Sequence, residues 1–169
     1  MKKYAFGVDI GGTTCKIGFF DTNGTLLDKW EIKTNTENNG ESILSDVAKA
    51  VDNKLAQEAI SKDDVQGIGI GVPGPVDSQG VVHRCVNLGW GVVNVAEELG
   101  NLTGLTIKVG NDANVAALGE MWQGGAKGSK DVIMVTLGTG VCVVLAARTS
   151  ISCASLPSLT LCSIPSKSP

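Results

Sequence analysis

Glycine is distributed unevenly along this chain, and its distribution limits where a regular fold with binding loops can form. All 22 glycines lie within the first 140 residues, whereas residues 141–169 contain no Gly, Asp or Glu and hold seven serines. Glycine allows sharp turns and close backbone approaches that other residues resist. We therefore expect the folded, ligand-binding part of the chain to end near residue 141.

Apolar residues before that break follow first a strand-like and then a mixed spacing. Short turns, including Asn23-Gly24, separate the first three predicted strands and so predict two consecutive β-hairpins. Later apolar positions predict helices that alternate with strands. This order predicts an α/β fold with a mixed sheet. The expected strands are 3–10, 15–21, 26–33, 65–72, 106–109 and 132–137, and the expected helices are 41–61, 94–102 and 112–123.

Charge and cysteine content exclude several classes of protein. The formal net charge is −3, which gives no electrostatic reason to expect nucleic acid or an anionic membrane as partner. No apolar run approaches the 18 residues of a membrane span. The five cysteines form no C-x-x-C pair and His83 is the only histidine, so their spacing predicts no metal site. Unpaired thiols and the absence of a signal-peptide pattern favour a cytoplasmic protein.

A glycine-threonine turn, Asp9-Ile-Gly-Gly-Thr-Thr14, joins the first two predicted strands. Its two glycines let backbone amides approach an anion, and its two threonines add hydroxyl donors. The aspartate at the strand end is the oxygen ligand that Mg²⁺ prefers. The alternative is a tight hairpin whose threonines bond only their own loop. The candidate ligands of phosphate and Mg²⁺ are Asp9, Gly11, Gly12, Thr13, Thr14 and Lys16.

A second glycine-threonine turn follows the last predicted strand, at Gly138, Thr139 and Gly140. Alone it is a weak signal, because short glycine turns are common after strands. Together with the first turn it predicts a nucleotide held between two phosphate-binding loops.

Asn111 and Asp112 follow a predicted strand and precede an alanine-rich helix. Asp112 is a candidate general base, since phosphoryl transfer needs one carboxylate aimed at the attacking hydroxyl. The alternative is an N-cap, which is the more common use of Asp before a helix.

The segment Gly69-Ile-Gly-Val-Pro-Gly74 fits the pattern G-x-G-x-x-G, but it does not predict a dinucleotide site. That site needs a helix to begin at the third glycine, and here Pro73 and Pro75 flank Gly74. A loop that lines a substrate is the better interpretation. Asn87, in the same long loop, is a candidate contact for a substrate hydroxyl, with simple turn formation as the alternative. Trp90 lies in the same loop, and the alternative to a place in the substrate pocket is packing in the core.

Taken together, these segments resemble the ROK family of bacterial sugar kinases. The similarity covers residues 1–141 and follows the family's order of motifs. The matching segments are DIGGTTCKIG (9–18), GIGIGVPGPVD (67–77), NLGW (87–90), GNDANVAALGE (110–120) and VTLGTGV (135–141). The resemblance implies an actin-like, ribonuclease-H-like ATPase fold, with ATP and sugar in a cleft between two α/β lobes.

The same resemblance implies ATP-dependent phosphorylation of a hexose, such as glucose to glucose 6-phosphate, with Mg²⁺ as cofactor. It implies that Asp112 is the base, that Asn111 and Asp112 bind sugar hydroxyls, and that Gly74 and Asn87 line the pocket. N-acetylmannosamine or fructose are alternative substrates. Homodimers are common in the family, and its transcriptional repressors carry a DNA-binding segment that we do not expect here.

The similarity stops after Val141, in the middle of a motif. The family continues with further glycines and a zinc site of one His and three Cys, which residues 142–169 do not contain. We therefore expect an N-terminal lobe over 1–124, the start of a second lobe over 125–141, and an aberrant, disordered tail over 142–169. A frameshift near codon 141 is the simplest hypothesis. An inactive fragment or a sugar-binding module is the alternative to an active kinase.

Overall fold

The computed structural model describes residues 2–137, 141–147 and 150–155. The described residues divide into two compact units between Ala116 and Ala117, within helix α3 (Asp112–Trp122). The lobe boundaries expected at 124/125 and 141/142 stay predictions.

The first unit contains a five-stranded mixed sheet, as the order of predicted elements indicated. Its strands are β1 (Tyr4–Ile10), β2 (Thr14–Asp21), β3 (Leu26–Lys33), β4 (Val65–Val72) and β7 (Ile107–Asn111). They lie side by side in the order β3-β2-β1-β4-β7. The first three are antiparallel, whereas β1, β4 and β7 are parallel to one another. Between β4 and β7 in the sequence, β5 (Val81–Val82) and β6 (Val93–Asn94) form a separate two-stranded sheet.

One face of this sheet forms the core. Helix α1 (Ile43–Gln57) buries the stripe that its apolar spacing predicts, from Ile43 through Val47 and Val51 to Leu55. Helix α2 (Val95–Thr103) contacts α1 and β7. Asn94 caps α2 through its Oδ1, which accepts from the Glu97 amide at 3.2 Å, and Gly104 ends the helix with a φ of 71°.

The opposite face of the sheet carries a glycine row, which consists of Gly18, Gly7 and Gly69 on three neighbouring strands. Gly7 pairs with Gly18 on one side and with Gly69 on the other. The backbone therefore forms the floor of an open groove of about 630 Å³. Its lining also includes Asp9 and Lys16, so the groove reaches the first glycine-threonine turn.

The turn between β2 and β3 differs in detail from the predicted Asn-Gly hairpin. Only Gly24 has a positive φ, 91°, whereas a type I′ turn needs a positive φ at both central residues. Asp21 stabilises the turn instead, because its Oδ1 accepts from the amides of Asn23 and Thr25. A bulge between Phe19 and Phe20 then shifts the β2–β3 register by one residue.

The second unit is an antiparallel sheet of β8 (Asp131–Leu137), β9 (Val141–Ala147) and β10 (Ser150–Ser155), in the order β10-β9-β8. Helix α3 (Asp112–Trp122) precedes it and leads out of the first unit. Two of these strands lie in the segment for which the sequence predicted a disordered tail. Among the described residues, no helix is long and apolar enough to cross a membrane.

Candidate active site

The candidate residues of the first unit gather at one edge of the sheet. Strands β1, β4 and β7 are parallel, so their carboxyl ends meet at this edge, where ligands of open α/β sheets usually bind. Asp9 lies next to Gly71 in the register, and Gly71 lies next to Gly110. Asp112 follows directly after β7 as the first residue of α3. The fold therefore brings the two candidate carboxylates to the same place.

Gly71 separates these two aspartates and contributes no side chain between them. A Cβ built at Gly71 would lie 3.8 Å from Oδ1 of Asp9 and 3.5 Å from Cα of Asp112. Gly71 is buried, and a Cβ there would make ordinary contacts with both residues, so no side chain stands between Asp9 and Asp112. The glycine pattern at 69–74 contains Gly71 but gives no signal for this position.

The surroundings of Asp9 disfavour its negative charge. Partial burial raises the pKa of this carboxyl, the nearby Lys16 ammonium lowers it, and the charge of Asp112 raises it, with a net upward shift. Asp9 and Lys16 are paired across β1 and β2. A bound cation would offset both influences that raise the pKa. Carboxylate oxygens are also the ligands that Mg²⁺ prefers, so the residues present fit a magnesium ion at Asp9.

The first glycine-threonine turn is tightly closed. The Gly11 amide donates to the Thr14 carbonyl at 3.0 Å, and a Cβ at Gly11 would lie only 2.9 Å from that oxygen. The turn is also held from β3, because the buried Thr34 hydroxyl donates to the Gly11 carbonyl at 2.7 Å. The sequence analysis did not identify Thr34.

Asn111, and not Asp112, takes the main capping role at the start of α3. Its Oδ1 accepts from the amides of Ala113, at 3.1 Å, and Asn114, at 3.3 Å. Asp112 accepts only from Ala113 through Oδ1, at 2.8 Å, and its second oxygen has no hydrogen bond within residues 2–137. Within residues 2–137, Asn111 therefore supplies the main cap, and the second carboxylate oxygen of Asp112 accepts from no protein donor.

Asn111 also connects the helix to the proline-flanked loop. Its Nδ2 donates to the Gly74 carbonyl at 3.1 Å. Gly74 has a φ of 122°, and a Cβ there would lie 2.7 Å from the Arg84 carbonyl, so only glycine fits. No helix begins at Gly74, in agreement with the rejection of a dinucleotide site. Among the described residues Nδ2 donates only this bond, which leaves its second amide hydrogen for a substrate.

Asn87 is brought against the first glycine-threonine turn. It lies in a short 3₁₀ helix, and a Cβ at Gly12 would be 3.6 Å from its carbonyl oxygen and 3.7 Å from its Cβ. The neighbouring Trp90 is in the core at 5% exposure, and its Nε1 donates to the Gly40 carbonyl at 3.1 Å. Trp90 thus fixes the loop that carries Asn87, as the core-packing alternative predicted.

Gly138, Thr139 and Gly140 lie outside the described residues, so their role as a second phosphate loop stays a prediction. In the part of the chain that the structure describes, no cluster of three or more His, Cys, Asp or Glu side chains has the arrangement of a metal site.

Comparison with known proteins identifies the family of this chain. A model of the ROK family matches residues 5–148, which is most of the chain and extends seven residues beyond Val141, where the similarity was expected to stop. The chain belongs to the ROK family. The ROK glucokinase of Streptomyces griseus, solved in complex with glucose and AMPPNP, matches with a TM-score of 0.76 at 32% identity, over 88% of this chain and 46% of that one. The expected actin-like fold is thereby confirmed.

Two curated ROK relatives are glucokinases. That of Halalkalibacterium halodurans is 44% identical over 140 residues, which are 82% of this chain and 42% of the relative. That of Thermotoga maritima is 34% identical over 137 residues, 80% of this chain and 42% of the relative. The chain therefore spans about two fifths of the length of these ROK proteins.

Proposed function

We propose that this ROK chain is the N-terminal lobe of an ATP-dependent hexose kinase whose substrate is glucose. The proposal rests on the position of Asp112. Gly71 lies between Asp112 and Asp9, and Asp9 begins the first glycine-threonine turn. A hydroxyl bound next to Asp112 and a phosphate bound at Gly11–Thr14 would meet at this edge of the sheet. The glucokinases among the relatives support glucose as the hexose.

In the proposed reaction, the 6-hydroxyl of glucose attacks the γ-phosphorus of ATP. The hydroxyl proton passes to the free carboxylate oxygen of Asp112, the bond to the β-phosphate oxygen breaks, and ADP leaves. Asn87 and Asn111 orient the sugar, and the amides of the Gly11–Thr14 turn hold the phosphate. Mg²⁺, when held by Asp9, neutralises charge on the phosphates.

We further propose that the 169-residue chain has negligible turnover by itself. Phosphoryl transfer depends on positioning both substrates and on offsetting charge from several sides. The family resemblance assigns the adenine pocket and further sugar contacts to a second lobe, and this chain covers only 42% of its relatives. The isolated lobe would bind parts of each substrate without aligning them for reaction.

A chimeric kinase tests the proposal. Residues 1–137 of this chain are fused to the part of the Halalkalibacterium halodurans glucokinase that aligns with residue 138 and everything after it, so that the second glycine-threonine turn is kept, and glucose-dependent ADP formation is measured. We expect activity from the chimera and none from the 169-residue chain. Asp112→Asn should lower kcat by about 10²–10⁴, the contribution of a general base. The helix should stay folded in this variant, because Asn111 still caps it.

Asp63→Asn provides the matched control, because Asp63 lies in an exposed turn of the same lobe outside the site. It should leave kcat unchanged. A folded chimera without kinase activity would contradict the proposed function. Full activity in Asp112→Asn would contradict the role of the base, and turnover by the 169-residue chain would contradict its inactivity.

A further inference from the structure

Three of the four carbonyl groups in the Gly11–Thr14 turn accept hydrogen bonds from the protein. The Gly11 carbonyl accepts from the Thr34 hydroxyl at 2.7 Å, and the Thr13 carbonyl accepts from the Thr34 amide at 2.9 Å. The Thr14 carbonyl accepts from the Gly11 amide at 3.0 Å. Two of these three bonds therefore come from Thr34, which lies just after β3.

Two amides of the turn, in contrast, have no such partner among the described residues. Within the described residues, the N–H groups of Gly12 and Thr13 donate to no protein acceptor. Successive amides that point outward form a concave anion site, whereas outward carbonyl oxygens would repel a phosphate. Holding the carbonyls inward thus determines whether the turn can bind phosphate.

Thr34 is itself held firmly in place. It is 5% exposed and follows the last β2–β3 pair, which joins Thr14 to Lys33. The Sγ atom of Cys15 lies 3.3 Å from its hydroxyl oxygen. Because Thr34 gives its only hydroxyl hydrogen to Gly11, the thiol of Cys15 is the donor in that contact. The buried chain of bonds therefore runs from Cys15 through Thr34 to Gly11.

We propose that Thr34 is a positioning residue for phosphate binding, and that it acts by fixing the carbonyls of Gly11 and Thr13 inward. This inference rests on the proposed function, in which the Gly11–Thr14 turn binds the phosphates of ATP. Thr34 does not touch the phosphate. It orients the backbone that does.

The test uses the ¹⁵N-labelled 169-residue chain and inorganic triphosphate with Mg²⁺, a probe that needs no adenine pocket. In the wild-type chain the amide resonances of Gly12 and Thr13 should shift on titration. Thr34→Val should weaken triphosphate binding about three- to tenfold, the effect of losing one net hydrogen bond. Thr34→Ser keeps the hydroxyl and should bind as tightly as the wild type.

Thr103→Val is the matched control for a purely structural effect. Thr103 is 1% exposed and its hydroxyl donates to the Leu99 carbonyl at 2.7 Å, a bond of the same kind and length within α2. We expect this variant to lose stability like Thr34→Val but to bind triphosphate normally. Thr34→Ala, which removes the same hydroxyl with a smaller side chain, is the second variant if Thr34→Val does not fold.

Wild-type affinity in Thr34→Val or Thr34→Ala would overturn the inference while leaving the phosphate-binding turn intact. Equal weakening by Thr103→Val would also overturn it, since the effect would then follow stability alone. If the wild-type amides of Gly12 and Thr13 do not respond to triphosphate, the phosphate-binding turn of the proposed function fails first. The three outcomes are distinguishable in one set of titrations.

Discussion

Asn111 and Gly74 are joined by a hydrogen bond of 3.1 Å, from Nδ2 of the asparagine to the glycine carbonyl. The same asparagine caps α3 through its Oδ1. One side chain thereby couples the helix that presents Asp112 to the loop that is proposed to line the sugar pocket.

Asn111→Asp keeps the cap and removes the amide hydrogens. Aspartate caps a helix as well as asparagine does, but it can donate neither to Gly74 nor to the sugar. In the chimeric kinase we expect KM for glucose to rise at least about three- to tenfold, the cost of one net hydrogen bond, with little change in the stability of α3. Steady-state kinetics and thermal unfolding measure the two effects. An unchanged KM would show that neither amide hydrogen contributes to sugar binding.

Gly71→Ala should fold but should lose kinase activity in the chimera. The added Cβ would make only ordinary contacts, 3.5 Å from Asp112 and 3.8 Å from Asp9, so the backbone need not move. The methyl group would nevertheless lie against Oδ1 of Asp9 and the backbone of Asp112. The expected result is a loss of kcat with a nearly unchanged unfolding midpoint.

Gly69→Ala is the control for that substitution, because it lies two residues earlier on the same strand and face. Its Cβ would meet only the Phe6 carbonyl, at 3.9 Å. This variant should retain kcat. Similar losses in both variants would argue that the effect comes from the strand and not from the space between Asp9 and Asp112.

Asp9→Asn should stabilise the lobe at neutral pH. The folded state raises the pKa of Asp9, so the ionised carboxylate costs stability at pH values above the folded pKa. That cost diminishes as pH falls through the raised pKa and is absent below the unfolded pKa of about 3.9. Urea unfolding should therefore show Asp9→Asn more stable than the wild type at pH 7 and equal to it in acid. A wild-type advantage at pH 7 would reverse the sign and refute the prediction.

Gly40→Ala should strongly destabilise the lobe. Gly40 has a φ of 68°, and a Cβ there would lie 2.5 Å from the Leu88 carbonyl and 2.8 Å from Nε1 of Trp90. Gly104 has a φ of 71° and open space around it, so Gly104→Ala measures the backbone strain alone. We expect a loss of about 1 kcal/mol for Gly104→Ala and about 1–3 kcal/mol more for Gly40→Ala. Equal losses would mean that the Trp90 contact tolerates the methyl group.

The gene sequence provides a separate prediction. If a frameshift causes the break in composition after Val141, another reading frame beyond codon 141 should encode further glycines and a His and Cys zinc motif. Resequencing the gene and translating all three frames tests this. Three frames without such a motif would exclude a frameshift at this point.

The sheet could be predicted from the sequence because the spacing of apolar residues and the glycines that end elements are signals between residues close in sequence. Apolar periodicity located α1 and β4, and Gly104 marked the end of α2. The position of Asp112 at the end of a parallel strand also followed from the order of elements. Each of these depends on residues that are neighbours in sequence or on a general rule of topology.

Thr34 was missed because its role depends on the exact register of a hairpin. Without the bulge between Phe19 and Phe20, Thr34 would lie opposite Gly12 and not opposite Thr13. The predicted two-residue turn contained no signal for that shift. A threonine directly after β3 was the available clue, since an antiparallel hairpin returns the chain to the start of β2. Gly71 was missed for a related reason, because its use depends on Asp9 and Asp112 of two other segments.

The glycine row of Gly18, Gly7 and Gly69 constrains how this surface can evolve. Its floor consists of backbone, so no side chain there can be shortened, and each substitution must add atoms. At Gly18 an added Cβ would already lie 2.6 Å from the ring of Phe20, whereas at Gly69 it would meet little. Substitutions along the row can therefore only fill the groove. They are tolerated first at the Gly69 end, and none of them can make the groove deeper.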